Sequence, residues 1–210
     1  MKYSKTSFRT IYNQFCCFEL HGVLRDIAKN YLPGSEMANC ILAYGYYDRS
    51  AGLSIEILAC GVCSDNKYRF FHSNTQVRTH SRIAAVQNID YVILSDKEKL
   101  LSLYKDKLSI LANYSVCEEI EYTRSMEFLD SCRHEYNIDD IQVHLIKNHF
   151  QVEASWCRIE SIKEHSLIGR LLNEPYQDLG VHQDELIEFR VEKTSEGNYI
   201  CCCYLESNVQ

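Results

Sequence analysis

Three apolar runs, Asn39 to Tyr47, Leu53 to Cys63 and Tyr68 to Ser73, are separated by the turn-rich segments Asp48-Arg49-Ser50-Ala51-Gly52 and Ser64-Asp65-Asn66-Lys67. Apolar runs of this length, punctuated by Asp, Asn, Ser and Gly, read as strands joined by tight turns. The chain is therefore expected to build an antiparallel meander early on. Ahead of it, Phe8, Ile11, Tyr12, Phe15, Val23, Leu24, Ile27 and Tyr31 recur at the spacing of a helix that buries one stripe, with Gly22 as an interruption and Pro33-Gly34 as the stop. Behind it, a fourth strand from Tyr91 to Leu94 leads into Ser95-Asp96-Lys97-Glu98, the pattern of a capping box. A helix to about Leu111 follows, burying Leu100, Leu101, Leu103, Tyr104, Leu108 and Leu111.

The remainder is strand-rich. Met126, Phe128, Leu129, Cys132 and Tyr136 suit one more short helix, and Ile141 to Ile146, Val152 to Ile159, Leu167 to Leu172, Leu186 to Val191 and Tyr199 to Tyr204 read as five strands. The expected class is α+β: an N-terminal helix plus antiparallel meander with a further helix in residues 1–122, then a small β-rich module in 123–210. Only two prolines and eight glycines are present, too few for a flexible tether.

Eleven cysteines are an odd number, and Cys16-Cys17 and Cys201-Cys202-Cys203 are contiguous. Neighbouring strand residues point to opposite faces, so these thiols read as small apolar fillers in a reducing, cytoplasmic setting. The N-terminus shows no export signal, and the longest nearly apolar stretch, Ile41 to Tyr47, falls far short of the ~20 residues of a membrane-spanning helix. A formal charge of −7 disfavours nucleic acid, whose binding relies on Lys and Arg displacing counterions, and suits a basic protein partner.

The last third carries Val152-Glu153-Ala154-Ser155-Trp156, then Leu167-Ile168-Gly169-Arg170-Leu171-Leu172-Asn173-Glu174-Pro175, then Gly180 with Asp184-Glu185-Leu186-Ile187-Glu188-Phe189. Over about Ile141 to Tyr204 this resembles the YegJ-like bacterial domain of unknown function, which has a Glu-x-x-Trp strand, a Gly-x-Leu-x-Asn-Glu-Pro turn and a Gly-Asp strand start. The chain departs from that pattern by placing Asp184-Glu185 at the Gly-Asp position. The resemblance implies a small strand-rich module without an assigned reaction, whose relatives occur in settings that include candidate toxin-immunity proteins.

Catalytic patterns fail on their spacing. Cys60-Gly61-Val62-Cys63 is the only C-x-x-C and lacks a second pair for zinc. Cys132, His134, His144 and His149 lack the helical i, i+4 arrangement of a metalloprotease motif. Glu118-Glu119 and Asp139-Asp140 read as solvated charge on strands, and Trp156, alternating with Val152 and Ala154, reads as a core anchor. No cofactor, metal or catalytic set is expected.

What remains is contact chemistry. Tyr44, Tyr46, Tyr47 and Arg49 are candidates for a binding surface, since Tyr and Arg are enriched at interfaces. Glu153, Asn173 and Glu174 are the polar candidates of the second half. The leading expectation is a non-catalytic cytosolic protein-binding protein, of immunity type, that meets a basic toxin or enzyme. The alternatives are an enzyme or small-ligand binder with its site between the halves, and an effector or phage-encoded inhibitor.

Overall fold

The computed structural model describes residues 1–65, 67–72 and 77–206. Asn66 and Ser73, at the expected second turn and the end of the third strand, lie outside the described residues. The fold class is α+β, and the chain divides into two compact units, Met1–Ser115 and Val116–Gln210.

The first unit contains β1 (Phe15–Glu19), α1 (Gly22–Tyr31), β2 (Cys40–Asp48), β3 (Gly52–Ser64), β4 (Lys67–Phe71), β5 (His80–Arg82), α2 (Ile83–Val86), β6 (Tyr91–Ile93), α3 (Lys97–Leu103) and α4 (Lys105–Ser109). Its sheet runs β4-β3-β2-β1-β6, antiparallel at each step, with β5 paired to the early part of β3. The expected meander is present as β2, β3 and β4.

The single helix expected from Phe8 to Tyr31 is instead a short 3-10 turn at Phe8–Thr10, the strand β1, and then α1. Asn13 takes a φ of 58°, breaking any helical path, and Phe15, Cys16, Cys17 and Phe18 enter the sheet between β2 and β6. All four are buried. A central strand covered on both faces is apolar at every position, so its spacing imitates a helical stripe.

The second helical expectation is modified too. The run from Ser95 to about Leu111 breaks into α3 and α4 at Tyr104, and the capping box does not form: Asp96 is the cap residue and no side chain caps the helix. Leu100 and Tyr104 nevertheless pack on Phe15, Leu42, Leu58 and Ala59 of the sheet.

In the second unit, α5 (Glu118–Ser125) and a 3-10 turn at Glu127–Cys132 precede β7 (Asp140–Lys147), β8 (Glu153–Lys163), β9 (Ser166–Leu171), β10 (Leu186–Lys193) and β11 (Tyr199–Leu205). A boundary after residue 122 would cut through α5, which lies whole in this unit and packs on β8. The five strands form a closed barrel in the order β10-β11-β7-β8-β9. Each hairpin neighbour is antiparallel, so in an up-and-down meander of odd strand number the first and last strands run the same way. The barrel accordingly closes through the parallel pair β11–β7.

Its interior follows strand alternation: Ile141, Val143 and Leu145, Cys157 and Ile159, Leu167 and Leu171, Ile187 and Phe189, Cys201 and Cys203, with Ile120 and Leu129 packed on the same cluster. Burial of each large aliphatic or Phe side chain contributes roughly 1.5–3 kcal/mol. Trp156 has the opposite phase from that expected. Ser155, Cys157 and Ile159 point inward, whereas Trp156 is half-buried outside the barrel, its ring edge-on to His134 at 5.1 Å.

Candidate functional site

The tyrosine cluster of β2 is divided by the strand itself. Tyr44 and Tyr46 share one sheet face and Tyr47 takes the other, as alternation requires. Tyr44 meets Phe15 edge-on, with ring centroids 4.8 Å apart. Tyr46 and Tyr47 are 4% and 1% exposed, which makes them interior side chains, and Arg49 is half-buried at the following turn. The four residues are not brought together as one exposed surface.

Tyr46 belongs instead to a polar cluster that the sequence reading missed. Arg78 donates through Nε to Glu56 Oε2 at 2.9 Å and through its terminal nitrogens to the hydroxyls of Tyr114 at 3.2 Å and Tyr46 at 3.3 Å. Glu56 is buried, and burial pushes its carboxyl above the ordinary value of 4.5 against the pull of Arg78. Every oxygen and nitrogen named here is engaged by another, so the cluster braces the edge of β3. A charged residue in the midst of the apolar run Leu53 to Cys63 was the available signal.

The other three expected residues do converge, on the segment that follows β9. Glu153, at the start of β8, accepts the backbone N–H of Tyr176 on Oε1 at 2.6 Å and that of Gln177 on Oε2 at 3.2 Å. Asn173 Oδ1 accepts the N–H of Trp156 at 2.9 Å, anchoring the start of the loop to β8. Glu174 Oε2 accepts the N–H of Gln183 at 2.8 Å, and its Oε1 lies 2.7 Å from His182 Nδ1, closing the loop on itself.

These bonds set the charge states. The Gln183 amide and His182 hold Glu174 below its ordinary carboxylate value, and Glu174 in turn raises His182. Leu179, 2% exposed, seals the loop into the barrel core, while Lys147 Nζ donates to its carbonyl at 2.8 Å. Between these anchors Tyr176 stands 96% exposed. Residues 173–185 carry Glu174, Asp178, Asp184 and Glu185 and no Lys or Arg, with Arg170 reaching in to the carbonyl of Asp184. The result is an exposed aromatic ring on an acidic segment whose backbone is fixed by hydrogen bonds. No protein-family model, curated protein or solved structure matches this chain.

The residues weighed for chemistry have structural surroundings. Cys60 and Cys63 are three apart on one strand and so face opposite ways; Cys60 donates to the Pro33 carbonyl, and Asn39 brackets the Cys63 backbone with two hydrogen bonds. His134 Nδ1 accepts the N–H groups of Tyr136 and Asn137. Among the described residues, no group of three or more His, Cys, Asp or Glu is placed to hold a metal ion.

Asp139 and Asp140 are not solvated. They are 0% and 5% exposed and turn apart to separate guanidinium partners, Asp139 to Arg124 through two bonds of 2.8 Å and Asp140 to Arg158 at 2.6 and 2.9 Å. Glu118 and Glu119 lie on α5 rather than on a strand, and Glu119 accepts the N–H of Ile162. Among the described residues, no helix is long and apolar enough to cross a membrane.

Proposed function

We propose that the protein is a non-catalytic, cytoplasmic protein-binding protein of immunity or inhibitor type, and that the loop after β9 is its contact surface. The observation that carries this reading is Tyr176, almost wholly exposed on a backbone fixed by Glu153, Asn173 and Glu174. An isolated ring in water contributes nothing to folding. A ring whose loop is already ordered binds without the entropy cost of freezing that loop, and tyrosine is among the residues that dominate interface energetics.

The carboxylates around it select the partner's charge. A basic protein with an apolar recess for the ring fits, and the four acidic side chains of 173–185 would speed its approach more than they would strengthen the final contact.

The test replaces Tyr176 with a photo-crosslinking phenylalanine analogue in the native host and identifies the protein captured. With that partner purified, Tyr176→Ala is expected to weaken binding at least tenfold, and Asp178→Lys to slow association with little change in dissociation. The proposal fails when the crosslinked partner binds Tyr176→Ala as tightly as the parent chain.

A further inference from the structure

The sheet of the first unit carries a line of thiols that the contact surface does not use. In the register of β1 with β2, Cys17 lies opposite Leu42, so Cys40, two residues from Leu42, shares its face and is its diagonal neighbour. In the register of β2 with β3, Cys40 lies opposite Gly61, which places Cys63 on that same face, again one diagonal step away. Tyr68 is directly opposite Cys63 on β4. Cys17, Cys40 and Cys63 all line an open cavity of about 640 Å³ at this end of the sheet, whose rim includes Glu19, His21 and Arg25.

Within this line the first two thiols form a pair. Cys17 and Cys40 are both buried, diagonal neighbours on one face of β1 and β2, and both line the cavity. Cys63, by contrast, is only partly buried and lies opposite Tyr68 on β4. We propose that Cys17 and Cys40 form a two-sulfur binding site for a soft monovalent cation of the Cu(I) class, entered from the cavity.

Three alternatives for such a pair are weaker on geometry. Diagonal neighbours in an antiparallel sheet have Cα atoms about 7–8 Å apart, beyond the roughly 4.4–6.8 Å that a disulfide spans. Both strands are interior to the sheet, which resists drawing them together. Zinc takes four ligands, and the described residues offer no such group here. Inert filling accounts for cysteines sealed in the barrel core, such as Cys157, better than for two neighbouring thiols that line an open cavity.

Soft cations prefer thiolate sulfur and accept two-coordinate, linear ligation. Binding replaces each S–H bond by a sulfur–metal bond and passes the proton to solvent, with no change in the oxidation state of sulfur or metal. The deprotonated site then bears one net negative charge, in a cavity whose lining includes Arg25.

The experiment uses the full chain under anaerobic conditions, with Cu(I) supplied against bicinchoninate as competitor. Wild type is expected to retain one tightly bound Cu(I), and X-ray absorption to show two sulfur neighbours in a near-linear arrangement. Cys17→Ser and Cys40→Ser should each lose at least tenfold in apparent affinity. Cys60→Ser, on the opposite sheet face, and Cys132→Ser, in the second unit, should keep it. The absorption measurement needs no variant, so it decides the matter even where a serine substitution unfolds the protein. Complete removal of copper by the chelator, a third sulfur neighbour, retention by a folded Cys40→Ser, or a Cys17–Cys40 disulfide in protein isolated from its host would overturn the proposal.

Discussion

Gly169 sits inside a barrel too narrow for any side chain at that position. A Cβ there would stand 2.4 Å from Cys157 Sγ and 3.0 Å from a ring carbon of Phe189, both deep in the core. Gly169→Ala is therefore expected to destabilise the second unit by about 1–3 kcal/mol, the usual effect of overpacking, read as a lower denaturant midpoint. Removing a charge partner should act more strongly. Asp139→Ala takes from the buried Arg124 guanidinium both of its bonds to a fully buried carboxylate and leaves it the half-exposed Glu121, and loss of one member of a buried pair costs about 3–5 kcal/mol. A double substitution of Arg124 and Asp139 by apolar residues should recover part of that loss; equal destabilisation by single and double variants would show that packing, not charge, governs the site.

Single residues were also where the sequence misled most. Asp139 and Asp140 read as surface charge because their arginine partners lie 15 and 18 positions away, a pairing that only tertiary structure creates. Trp156 reads as a core residue only when the alternation is extended back to Val152, which lies outside β8 and is exposed. The bulk of the ring outweighed the phase of the strand in that reading.

Elements were more legible. The strands β2, β3 and β7 to β11 begin and end close to their sequence expectations because each is an apolar run between turn residues, and local chemistry suffices to mark those. Strand β1 was hidden by double-sided burial, β5 by consisting of His80, Ser81 and Arg82, and α5 by its run of glutamates. The loop after β9 shows the same division. Glu153, Asn173 and Glu174 could be singled out beforehand, but the amides they bind and the exposure of Tyr176 could not, since those depend on β8 lying alongside.

That loop has a working pH range set by its own ion pair. His182 is raised above its ordinary value of 6.5, so its contribution is complete below 6.5 and is lost as pH rises through the elevated value. Glu174 is lowered below its ordinary 4.5, so its contribution is complete above 4.5 and is lost as pH falls through the depressed value. The pair thus contributes in full between about pH 4.5 and 6.5. NMR titration should place the His182 midpoint above 6.5 in wild type and nearer 6.5 in Glu174→Gln. An unchanged midpoint would mean that the pair does not hold the loop.

At the scale of the whole molecule, the second unit has the attributes of an independent fold. Its sheet closes on itself, leaving no barrel edge to be paired by other strands. Its apolar cluster is drawn from Ile120 to Cys203, and α5 and the 3-10 turn at Glu127–Cys132 both lie within the same stretch of chain. The buried pairs Arg124–Asp139 and Arg158–Asp140 are internal to it as well. A fragment spanning 116–210 is therefore expected to fold alone, with a single cooperative transition and dispersed amide resonances. A fragment starting at 123 removes Ile120 and most of α5 and should be markedly less stable, because it uncovers the cluster against which that helix packs. Were the two fragments equally stable, α5 would be an ornament on the barrel and the division at Ser115 would carry no energetic meaning. A folded 116–210 fragment would also bear the loop of Tyr176 intact, so it should bind the crosslinked partner on its own, and a folded fragment that does not bind would move the contact surface off this loop.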